Sequence, residues 1–497
     1  MTTNHAHDAF LGRADAAARP FVRLEDGSEW THGAFAARAA RLQSVLEAAG
    51  VEPGDRIAVQ VAKHPDALAL YAASLRGGFV FLPLNTAYTA AELSHFLADS
   101  EAALTVCDEG TEDEVAPVAA RAGGRAVTLA ALTEGLDAAP EADARPRGPD
   151  DLAAILYTSG TTGRSKGAML THANLVSNAR ALVEAWRFTE GDVLIHALPV
   201  FHTHGLFVGT NVTLLAGASM IFQARFDPGA VLAAMPGATV LMGVPTFYTR
   251  LLEHPGLTPE RAANMRLFVS GSAPMLAETH RAWRARTGHS ILERYGMTET
   301  NMNTSNPYDG ERRAGTVGMP LPGVELRLTG EDGGPVGEGR VGAIEVRGPN
   351  VFRGYWRMPE KTAAEFREDG WFVTGDMGQL SGDGYLTIVG REKDLVISGG
   401  FNVYPAEVED AIDRLPGVLE SAVIGLPHAD LGEAVTAVVV REGGTDVDEA
   451  AIVAGLRDSL ARYKQPKRVL FAEELPRNTM GKVLKAELRR EHAGLYE

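Results

Sequence analysis

The chain has 497 residues and a mass of 52.9 kDa, with 45% hydrophobic and 22% charged residues. This composition is that of a globular protein of about two to four domains, and it excludes a disordered, collagen-like or coiled-coil chain. The chain has 47 Lys and Arg against 64 Asp and Glu, a net charge of −17. That charge argues against a general nucleic-acid binder and against a protein that binds anionic membranes.

The cysteine content and the N-terminus narrow the protein class further. Cys107 is the single cysteine, which excludes an intrachain disulfide and a Cys-rich metal site. The first twenty residues have no long apolar core behind a basic segment, and no apolar run approaches the ~18 residues of a membrane span. We therefore expect a cytoplasmic protein with neither a membrane nor a nucleic acid as its partner.

The first third of the chain alternates helix and strand signals. Thr31 is a predicted N-cap for a helix that ends before Gly50, and the Thr89-x-x-Glu92 spacing is typical of a capping box. Strands are predicted at 56–61, 79–84 and 103–108, with a helix at 65–74. Strands that alternate with helices of these lengths predict a parallel α/β layer.

The same alternation continues through the middle of the chain, and the pattern then changes twice. Further strands are predicted at 151–158, 219–222, 239–244 and 266–270, with helices at 174–186 and after Asp227 and Val244, where Pro follows. Short strands between Gly-rich turns predict a β-rich subdomain at about 315–390. The tail mixes strands with helices at 405–414 and 448–461. The predicted fold is therefore α/β, with a large N-terminal domain (1–391) of layered α/β subdomains and a small α+β C-terminal domain (392–497).

The strongest local motif is Thr158–Gly167, TSGTTGRSKG, which lies between a predicted strand and a predicted helix. Its glycines permit tight turns, and its hydroxyls, Lys166 and backbone N–H groups can surround a polyphosphate. The spacing differs from G-x-x-x-x-G-K-[ST], because Lys166 stands between Ser165 and Gly167. By itself the run fits a flexible surface turn equally well.

Four more motifs follow in order: RYGMTE at 294–299, TGD at 374–376, GREKD with SGGFNVYP at 390–405, and PRNTMGK at 476–482. With the glycine loop they resemble the adenylate-forming superfamily of acyl-CoA synthetases, luciferases and peptide-synthetase adenylation domains, over essentially the whole chain. The resemblance implies an active site between a large domain and a small mobile C-terminal domain. It also implies a two-step reaction, in which a carboxylate and ATP give acyl-AMP and pyrophosphate before a thiol displaces AMP.

The resemblance implies roles for individual residues around the nucleotide. Lys482 would bridge the α-phosphate and the reacting carboxylate, Thr298 would touch the α-phosphate, and Glu299 would be linked to Mg²⁺. Asp376 would accept the ribose hydroxyls, helped by Arg391. The other predicted ATP-binding residues form the phosphate loop and the adenine pocket: Thr158, Ser159, Gly160, Thr161, Thr162, Gly163, Lys166, Gly271, Ser272, Ala273, Arg294, Tyr295, Gly296 and Met297.

The resemblance also assigns residues of the C-terminal domain. Lys393 occupies the hinge position, and Gly399 and Gly400 would reach the pantetheine arm of CoA after the domain rotates. Lys482 taken alone would be an ordinary solvated lysine. Because the P-x-x-x-x-G-K context resembles sites that are acetylated in related synthetases, a lysine acetyltransferase is a hypothetical partner at Lys482.

Arg294 departs from the family pattern, since many relatives have a small residue before the motif tyrosine. On an extended segment its side chain faces opposite to Tyr295, which would direct it into the acyl pocket. A guanidinium there would hold a second carboxylate in a bidentate way. The alternative is a structural ion pair with Glu293 or another acid, and Arg250 and Arg281 are rival cations for a second carboxylate.

The remaining acyl-pocket predictions concern the segment FHTHG and two further positions. His202 occupies the family's aromatic gate position, and Thr203, Ser272 and Met302 are predicted neighbours of the acyl group. His202 and His204 form an H-x-H pair, but two histidines without a matched third ligand are weak evidence for a metal.

The amino-acid sequences of the motifs closely resemble those of bacterial malonyl-CoA synthetases. This likeness implies malonate, and methylmalonate as well, with ATP and CoA as co-substrates and Mg²⁺ as cofactor. Four alternatives stay open: an acyl-CoA synthetase for a short-chain or aromatic monocarboxylate, an adenylation domain that loads a carrier protein, a luciferase-like oxygenase, and a non-enzymatic binding protein.

Overall fold

The computed structural model describes residues 3–158, 165–457, 459–478 and 481–496. Strands and helices alternate along most of the chain, as the predicted fold class requires. The strands within the described ranges are β1 Pro20–Leu24, β2 Glu29–Thr31, β3 Arg56–Gln60, β4 Val80–Pro83, β5 Leu104–Cys107, β6 Arg125–Thr128, β7 Leu152–Thr158, β8 Lys166–Thr171, β9 Val193–His196, β10 Ser219–Phe222, β11 Val240–Gly243, β12 Leu267–Ser270, β13 Leu292–Met297, β14 Asn301–Ser305, β15 Met319–Pro320, β16 Glu325–Thr329, β17 Val341–Arg347, β18 Gly354–Tyr355, β19 Phe372–Leu380, β20 Leu386–Arg391, β21 Val396–Ser398, β22 Phe401–Val403, β23 Val418–His428, β24 Gly432–Arg441 and β25 Arg468–Ala472.

The α-helices cover the faces of these strands. Within the same ranges they are α1 His5–Phe10, α2 His32–Ala48, α3 Pro65–Gly77, α4 Ala90–Ser100, α5 Glu112–Arg121, α6 Leu129–Thr133, α7 His172–Ala185, α8 Asn211–Ala216, α9 Pro228–Ala234, α10 Pro245–Glu253, α11 Ala277–Thr287, α12 Pro359–Glu365, α13 Pro405–Asp413, α14 Glu449–Gly455 and α15 Lys485–Glu491. No helix of the described residues is long and apolar enough to cross a membrane.

Helix starts follow the capping signals of the sequence. The Thr89 hydroxyl accepts a hydrogen bond from the Glu92 N–H, and the Glu92 side chain accepts from the Thr89 N–H, which confirms the predicted capping box. Thr31 caps α2 as predicted. The helix predicted at 174–186 begins earlier, because Thr171 and Asn174 form a second reciprocal cap.

Two sheets form the α/β part of the chain. One has the order β18-β8-β7-β4-β3-β5-β6, in which β7, β4, β3, β5 and β6 are parallel. The other has nine strands in the order β15-β14-β13-β12-β11-β9-β10-β1-β2, and β13 through β10 to β1 are parallel. Helices cover both sheets and bury a large common core, which is typical of a layered α/β fold.

The last third of the chain builds two smaller sheets. Strands β16, β17, β19 and β20 form an antiparallel sheet within the predicted β-rich region. Strands β21 to β25 form a mixed five-stranded sheet, with its own core against α13 and α14. A short 3₁₀ turn, Glu392–Asp394, connects these two sheets. The boundary at residue 391 stays a prediction.

Two sequence-based expectations are wrong in detail. The glycine loop is followed by a strand and not directly by a helix, since β7 and β8 pair antiparallel on its two sides and α7 begins only at His172. The helix predicted at 448–461 ends at Gly455, where the Leu415 side chain occupies the space beside the glycine.

Candidate active site

The predicted site residues gather at one edge of the nine-stranded sheet. Strands β9, β11, β12 and β13 are parallel neighbours, so their carboxyl ends meet at the same edge, where open α/β sheets bind ligands. The segments that follow β9, β11 and β12 carry residues 202–204, Thr246 and residues 271–273, and β13 itself carries Arg294. The sheet therefore brings together residues that are more than 90 positions apart in the sequence.

Arg294 is buried in this edge without an acidic partner. Its side chain is 3% exposed, and its Nε and Nη2 atoms have no hydrogen-bond partner among the described residues. Burial lowers the pKa of the guanidinium to about 9, which still leaves it charged at neutral pH. A buried cation without a counter-ion is costly, so the arrangement favours an anionic ligand at this point.

The two histidines beside Arg294 are neutral. Burial, followed by the charge of Arg294, lowers the pKa of His202 to about 4 and that of His204 well below its usual value. The pocket therefore combines one fixed positive charge with uncharged imidazoles. Because neither histidine competes for an anion as a cation, Arg294 supplies the charge that a distal carboxylate would meet.

The alternatives to Arg294 do not reach this buried position. Glu293 points elsewhere and accepts a hydrogen bond from the Gly315 N–H at 3.2 Å, and no ion pair joins it to Arg294 in the described structure. Arg250 and Arg281, the rival cations, are both exposed. The structural ion pair considered from the sequence is therefore wrong, and the Arg294 side chain is left for another role.

Small polar groups complete the acyl side of the pocket. Thr203 Oγ1 and His204 Nε2 are buried without a partner, and His204 Nδ1 lies 3.3 Å from the Ser272 hydroxyl. Ser272 has a positive φ of 73°, which places it at a tight turn after β12. The Met302 methyl group would be 2.7 Å from a Cβ on Gly296, so Met302 packs against the motif strand.

Tyr295, Asp376 and Arg391 form a connected cluster next to this pocket. The Tyr295 hydroxyl donates to Asp376 at 2.6 Å, and Arg391 Nε lies 2.9 Å from the other carboxylate oxygen. The Asp376 charge raises the pKa of Arg391. Asp376 and Arg391 face each other across β19 and β20, so the β-rich sheet delivers both side chains to the predicted ribose position.

Glu299 lies at the phosphate side of the site. It is 5% exposed, its Oε1 accepts from the Tyr355 hydroxyl at 3.0 Å, and the Thr158 hydroxyl is 3.5 Å away. Burial raises the pKa of this carboxyl group. Thr298 precedes it and is half-buried at the end of β13.

These oxygen donors fit Mg²⁺ shared with phosphate oxygens, because Mg²⁺ uses one or two carboxylates and keeps waters or phosphates as its other ligands. No group of three or more His, Cys, Asp or Glu that could hold a metal by itself occurs in the described ranges.

Lys166 forms an ion pair with Glu365, an acid that was not predicted from the sequence as a site residue. Its Nζ lies 3.0 Å from Glu365 and 4.1 Å from the centre of the Tyr355 ring. The Tyr355 hydroxyl contacts both Glu365 at 2.6 Å and Glu299, so one tyrosine joins the lysine to the phosphate side of the site. In this arrangement the Lys166 ammonium is paired with Glu365, and its predicted contact with ATP stays a prediction.

Part of the predicted phosphate loop is outside the described structure. Thr158 and Lys166 pair across β7 and β8 at the two ends of the loop. The five residues Ser159, Gly160, Thr161, Thr162 and Gly163, predicted to bind ATP, lie outside the described residues.

Lys482 reaches the site through the C-terminal domain. A Cβ on the preceding Gly481 would lie 3.4 Å from Thr246, which stands at the start of α10 in the large domain. Burial, followed by the charge of Arg391, lowers the pKa of Lys482 to about 8. The chain conformation therefore brings the predicted catalytic lysine next to the Asp376 and Arg391 cluster.

The other C-terminal predictions lie at the domain junction and on the small sheet. Lys393 sits in the 3₁₀ turn between β20 and β21, and burial lowers its pKa. Gly399 and Gly400 have positive φ values of 60° and 80° in the β21–β22 turn, where the Gly399 N–H donates to Leu431. These glycines lie against their own sheet here, and their contact with CoA stays a prediction.

Comparison with known proteins agrees with the fold and the motifs. The family model for AMP-binding enzymes matches residues 11–356, and the model for the AMP-binding enzyme C-terminal domain matches residues 407–482. The chain belongs to the AMP-binding enzyme family. The family resemblance inferred from the motifs is thereby confirmed.

Individual relatives cover nearly the whole chain. An ATP-bound crystal structure of MatB from Rhodopseudomonas palustris is 56% identical, with a TM-score of 0.97 and full coverage of both chains. Feruloyl-CoA synthase from an Amycolatopsis species is 42% identical over 470 residues, covering 93% of this chain and 94% of the relative. Malonate–CoA ligase from Arabidopsis thaliana is 35% identical over 521 residues, covering 94% and 85%.

The structure is more similar to the ATP-bound structure of MatB than to its apo structure. The apo structure of the same protein has an equal identity of 56% but a TM-score of 0.86, compared with 0.97 for the ATP-bound structure. Since the sequence identity is equal, the difference in TM-score comes from the coordinates of the two MatB structures and not from their sequences.

Proposed function

We propose that this family member is an AMP-forming acid–thiol ligase that converts malonate and CoA to malonyl-CoA, with methylmalonate as a second substrate. A carboxylate oxygen of malonate attacks the α-phosphorus of ATP, and pyrophosphate leaves. The thiol of CoA then attacks the acyl carbon, releases AMP and loses its proton. ATP and CoA are co-substrates, so the chemistry needs no redox partner.

The single observation that carries this proposal is the buried, unpaired guanidinium of Arg294. Its Nε and Nη2 atoms have no partner among the described residues, and the fork geometry of arginine matches a carboxylate in a bidentate way. Malonate supplies this second carboxylate while the first one reacts. A site that requires a polar partner rejects analogues lacking it by about 10⁴–10⁵. Acetate and propionate would leave the cation unpaired.

The reacting carboxylate faces a different cation. Both the nucleophile and the α-phosphate are anionic, so the barrier contains charge repulsion that positioned cations reduce. Lys482 provides such a cation in a half-buried position, where a charge pair 4 Å apart gains about 4 kcal/mol at an effective dielectric of 20, against about 1 kcal/mol in water. No general base is required, because a carboxylate is already ionised near neutral pH.

The remaining side chains hold the nucleotide. Asp376 and Arg391 would meet the ribose, the Tyr295 ring would cover adenine, and Glu299 with Thr158 would hold Mg²⁺ at the phosphates. When bound there, Mg²⁺ supplies positive charge that neutralises the leaving pyrophosphate. His202 and Thr203 would shape the wall against the acyl group.

A monocarboxylate ligase is the second candidate. The 42% identity to a feruloyl-CoA synthase supports it, because that relative's name refers to an aromatic monoacid. The charge in the pocket opposes it, since ferulate has no second carboxylate for Arg294 and its ring would bury the cation further.

A pyrophosphate-release panel distinguishes these candidates. Wild-type enzyme is assayed with malonate, methylmalonate, acetate, propionate, succinate and ferulate, with and without CoA and with Mg²⁺ removed by chelation. We expect malonate to give the highest kcat/KM, the two monoacids of similar size to be nearly inactive, and chelation to abolish release. Ferulate exceeding malonate in kcat/KM would refute the malonate assignment.

A further inference from the structure

Lys63 is a partly buried lysine outside the residues described so far, and burial lowers the pKa of its ammonium. It follows β3, and its ammonium donates to three acceptors: the His196 carbonyl at 2.6 Å, the Gln223 carbonyl at 2.7 Å and His196 Nδ1 at 3.0 Å. The ammonium also lies 4.4 Å from the centre of the Phe222 ring. All three of its N–H donors are therefore used, although no carboxylate pairs with it in the described structure.

These contacts cross between the two large sheets. Lys63 follows a strand of the seven-stranded sheet, whereas His196 ends β9 and Gln223 follows β10 in the nine-stranded sheet. The lysine therefore connects the two large sheets by hydrogen bonds at their strand ends, on the side where the candidate active site lies.

The Gly205 carbonyl sets the tautomer of His196, because a carbonyl oxygen only accepts and Nε2 must therefore carry the proton. The contact with Lys63 agrees with this tautomer. An ammonium has no acceptor, so His196 Nδ1 must accept, and the ring proton must then reside on Nε2. Burial, followed by the Lys63 charge, lowers the pKa of His196 to about 3, so the ring is neutral. With this tautomer, Nε2–H donates to the Gly205 carbonyl at 2.9 Å.

Gly205 connects His196 to the acyl pocket. It is the second residue of a π-helix, His204–Thr210, in which its carbonyl also accepts from the Thr210 hydroxyl at 3.2 Å. A Cβ on Gly209 would lie 3.1 Å from His196 Nε2, so the ring is packed directly on this helix. His204, which begins the helix, is the neighbour of Arg294 and Ser272. π-helical turns often occur at functional sites.

We propose that Lys63 is a positioning residue for the acyl pocket: by binding Nδ1 and the carbonyl of His196 it holds the imidazole against the start of the π-helix, and thereby holds His204 and the adjoining His202–Thr203 wall beside Arg294. Lys63 itself does not touch the substrate. Without the ammonium, His196 Nδ1 and the carbonyl groups of His196 and Gln223 lose their hydrogen-bond donor, so the imidazole is held at one nitrogen only. The ring and the start of the π-helix can then shift together, and the acid-binding wall depends on both.

The test compares Lys63→Met with Lys63→Gln, which keeps two N–H donors without the charge. We expect the Met variant to raise KM for malonate at least about tenfold while KM for ATP stays within about twofold, and the Gln variant to lie between it and wild type. A proton-correlated ¹⁵N spectrum, with His196 assigned by comparison with His196→Gln, should show the Nε2–H tautomer in wild type and a changed Nδ1 chemical shift in Lys63→Met, where Nδ1 loses its hydrogen-bond donor. If the Met variant does not fold, the Gln variant serves for the same comparison.

Two controls separate positioning from general destabilisation. Arg327→Met removes a partly buried cation of the β-rich sheet, where Glu345 retains Arg367, and should lower Tm without changing either KM. In the His196→Gln background, Lys63→Met should add less than about twofold to the malonate KM, because residues that act through one another are not additive. A malonate KM within twofold of wild type, equal changes in both KM values, full additivity or an unchanged His196 Nδ1 chemical shift would each overturn the proposal.

This inference rests on the proposed function for the identity of the acid, but different experimental results would contradict the inference and the proposed function. If the wild-type panel selects another carboxylate, the malonate assignment fails. The Lys63 variants are then judged by the KM of that acid against the KM of ATP.

Discussion

The guanidinium of Arg294 lies directly against the backbone of Gly271, where a Cβ atom would be 2.4 Å from the arginine Cζ. Only a residue without a side chain permits this contact, so Gly271 sets the depth of the cation in the pocket. We predict that Gly271→Ala displaces Arg294 and raises KM for malonate at least about tenfold, measured by pyrophosphate release. Gly237→Ala is the matched control, because nothing lies within 4 Å of its added Cβ and its KM values should not change.

Replacement of Arg294 should change activity and stability in opposite directions. In Arg294→Met the distal carboxylate loses its partner, which costs about 3–5 kcal/mol and reduces kcat/KM for malonate at least about 100-fold. Without substrate, removal of an unpaired buried cation should stabilise the fold by about 1–4 kcal/mol, seen as a higher Tm.

The exposed rivals provide the controls for this variant. Arg250→Met and Arg281→Met should leave the malonate kcat/KM within about twofold of wild type. A loss of malonate activity in either control, with Arg294→Met remaining active, would transfer the distal carboxylate to that arginine.

Replacement of Lys482 should separate the two half-reactions. Its position next to Asp376 and Arg391, with Gly481 against Thr246, is the one that the proposed adenylation step requires. We predict that Lys482→Ala abolishes malonyl-AMP formation but retains the formation of malonyl-CoA from presynthesised malonyl-AMP and CoA. Rapid-quench assays of each half-reaction measure this, and an equal loss in both would contradict the assigned role.

The adenylation rate should depend on the protonation of Lys482. Its pKa is lowered to about 8 by burial, with Arg391 as the next cause, and the protonated form is the one that attracts the two anions. We therefore expect kcat/KM for malonate to fall as pH rises through about 8. Lys482→Arg should remove this fall, because arginine stays protonated over the range. The same fall in the arginine variant would assign the titration to another group.

Glu293 should make stability depend on pH. Burial raises its pKa from 4.5 to about 8, so between these values the folded state keeps a proton that the unfolded state has lost. Its contribution is complete below about pH 4.5 and is lost as pH rises through 8, with a slope of about 1.4 kcal/mol per pH unit.

Glu293→Gln keeps the acceptor for the Gly315 N–H and removes the titration. Urea unfolding at pH 6, 7 and 8 should show a free energy of unfolding that declines less steeply in the variant than in wild type. Parallel pH curves for the two proteins would show that the Glu293 carboxyl group does not retain its proton in the folded state.

Local signals in the sequence predicted much of the fold correctly. Thr31 and Thr89 mark helix starts because a capping hydroxyl acts over three residues, and this needs no tertiary information. The antiparallel pairing of β7 with β8 on the two sides of the glycine loop was not predicted. The hydrophobic pattern of this segment fits a strand followed by a helix equally well, so the pattern alone does not distinguish the two.

Only some residues of the candidate site could be predicted from the sequence. The motif order predicts Lys482, Glu299 and Asp376 as site residues, which stays a prediction, whereas Tyr355, Glu365 and Lys63 carry no spacing signal. Lys166 and Glu365 are 199 residues apart, and only the packing of α12 beside β18 and β8 brings the acid to the lysine. Sites built from such distant contacts are not visible in any local window of the sequence.

The sequence by itself determined the family, the order of helices and strands and the identity of the motif residues, because these depend on hydrophobic period, capping and spacing along the chain. Only the tertiary structure decided that Arg294 has no acidic partner among the described residues, that Glu293 points away from it and that Gly481 meets Thr246. The physical reason is that burial and charge pairing depend on what surrounds a side chain in three dimensions, and those neighbours come from strands far apart in the sequence.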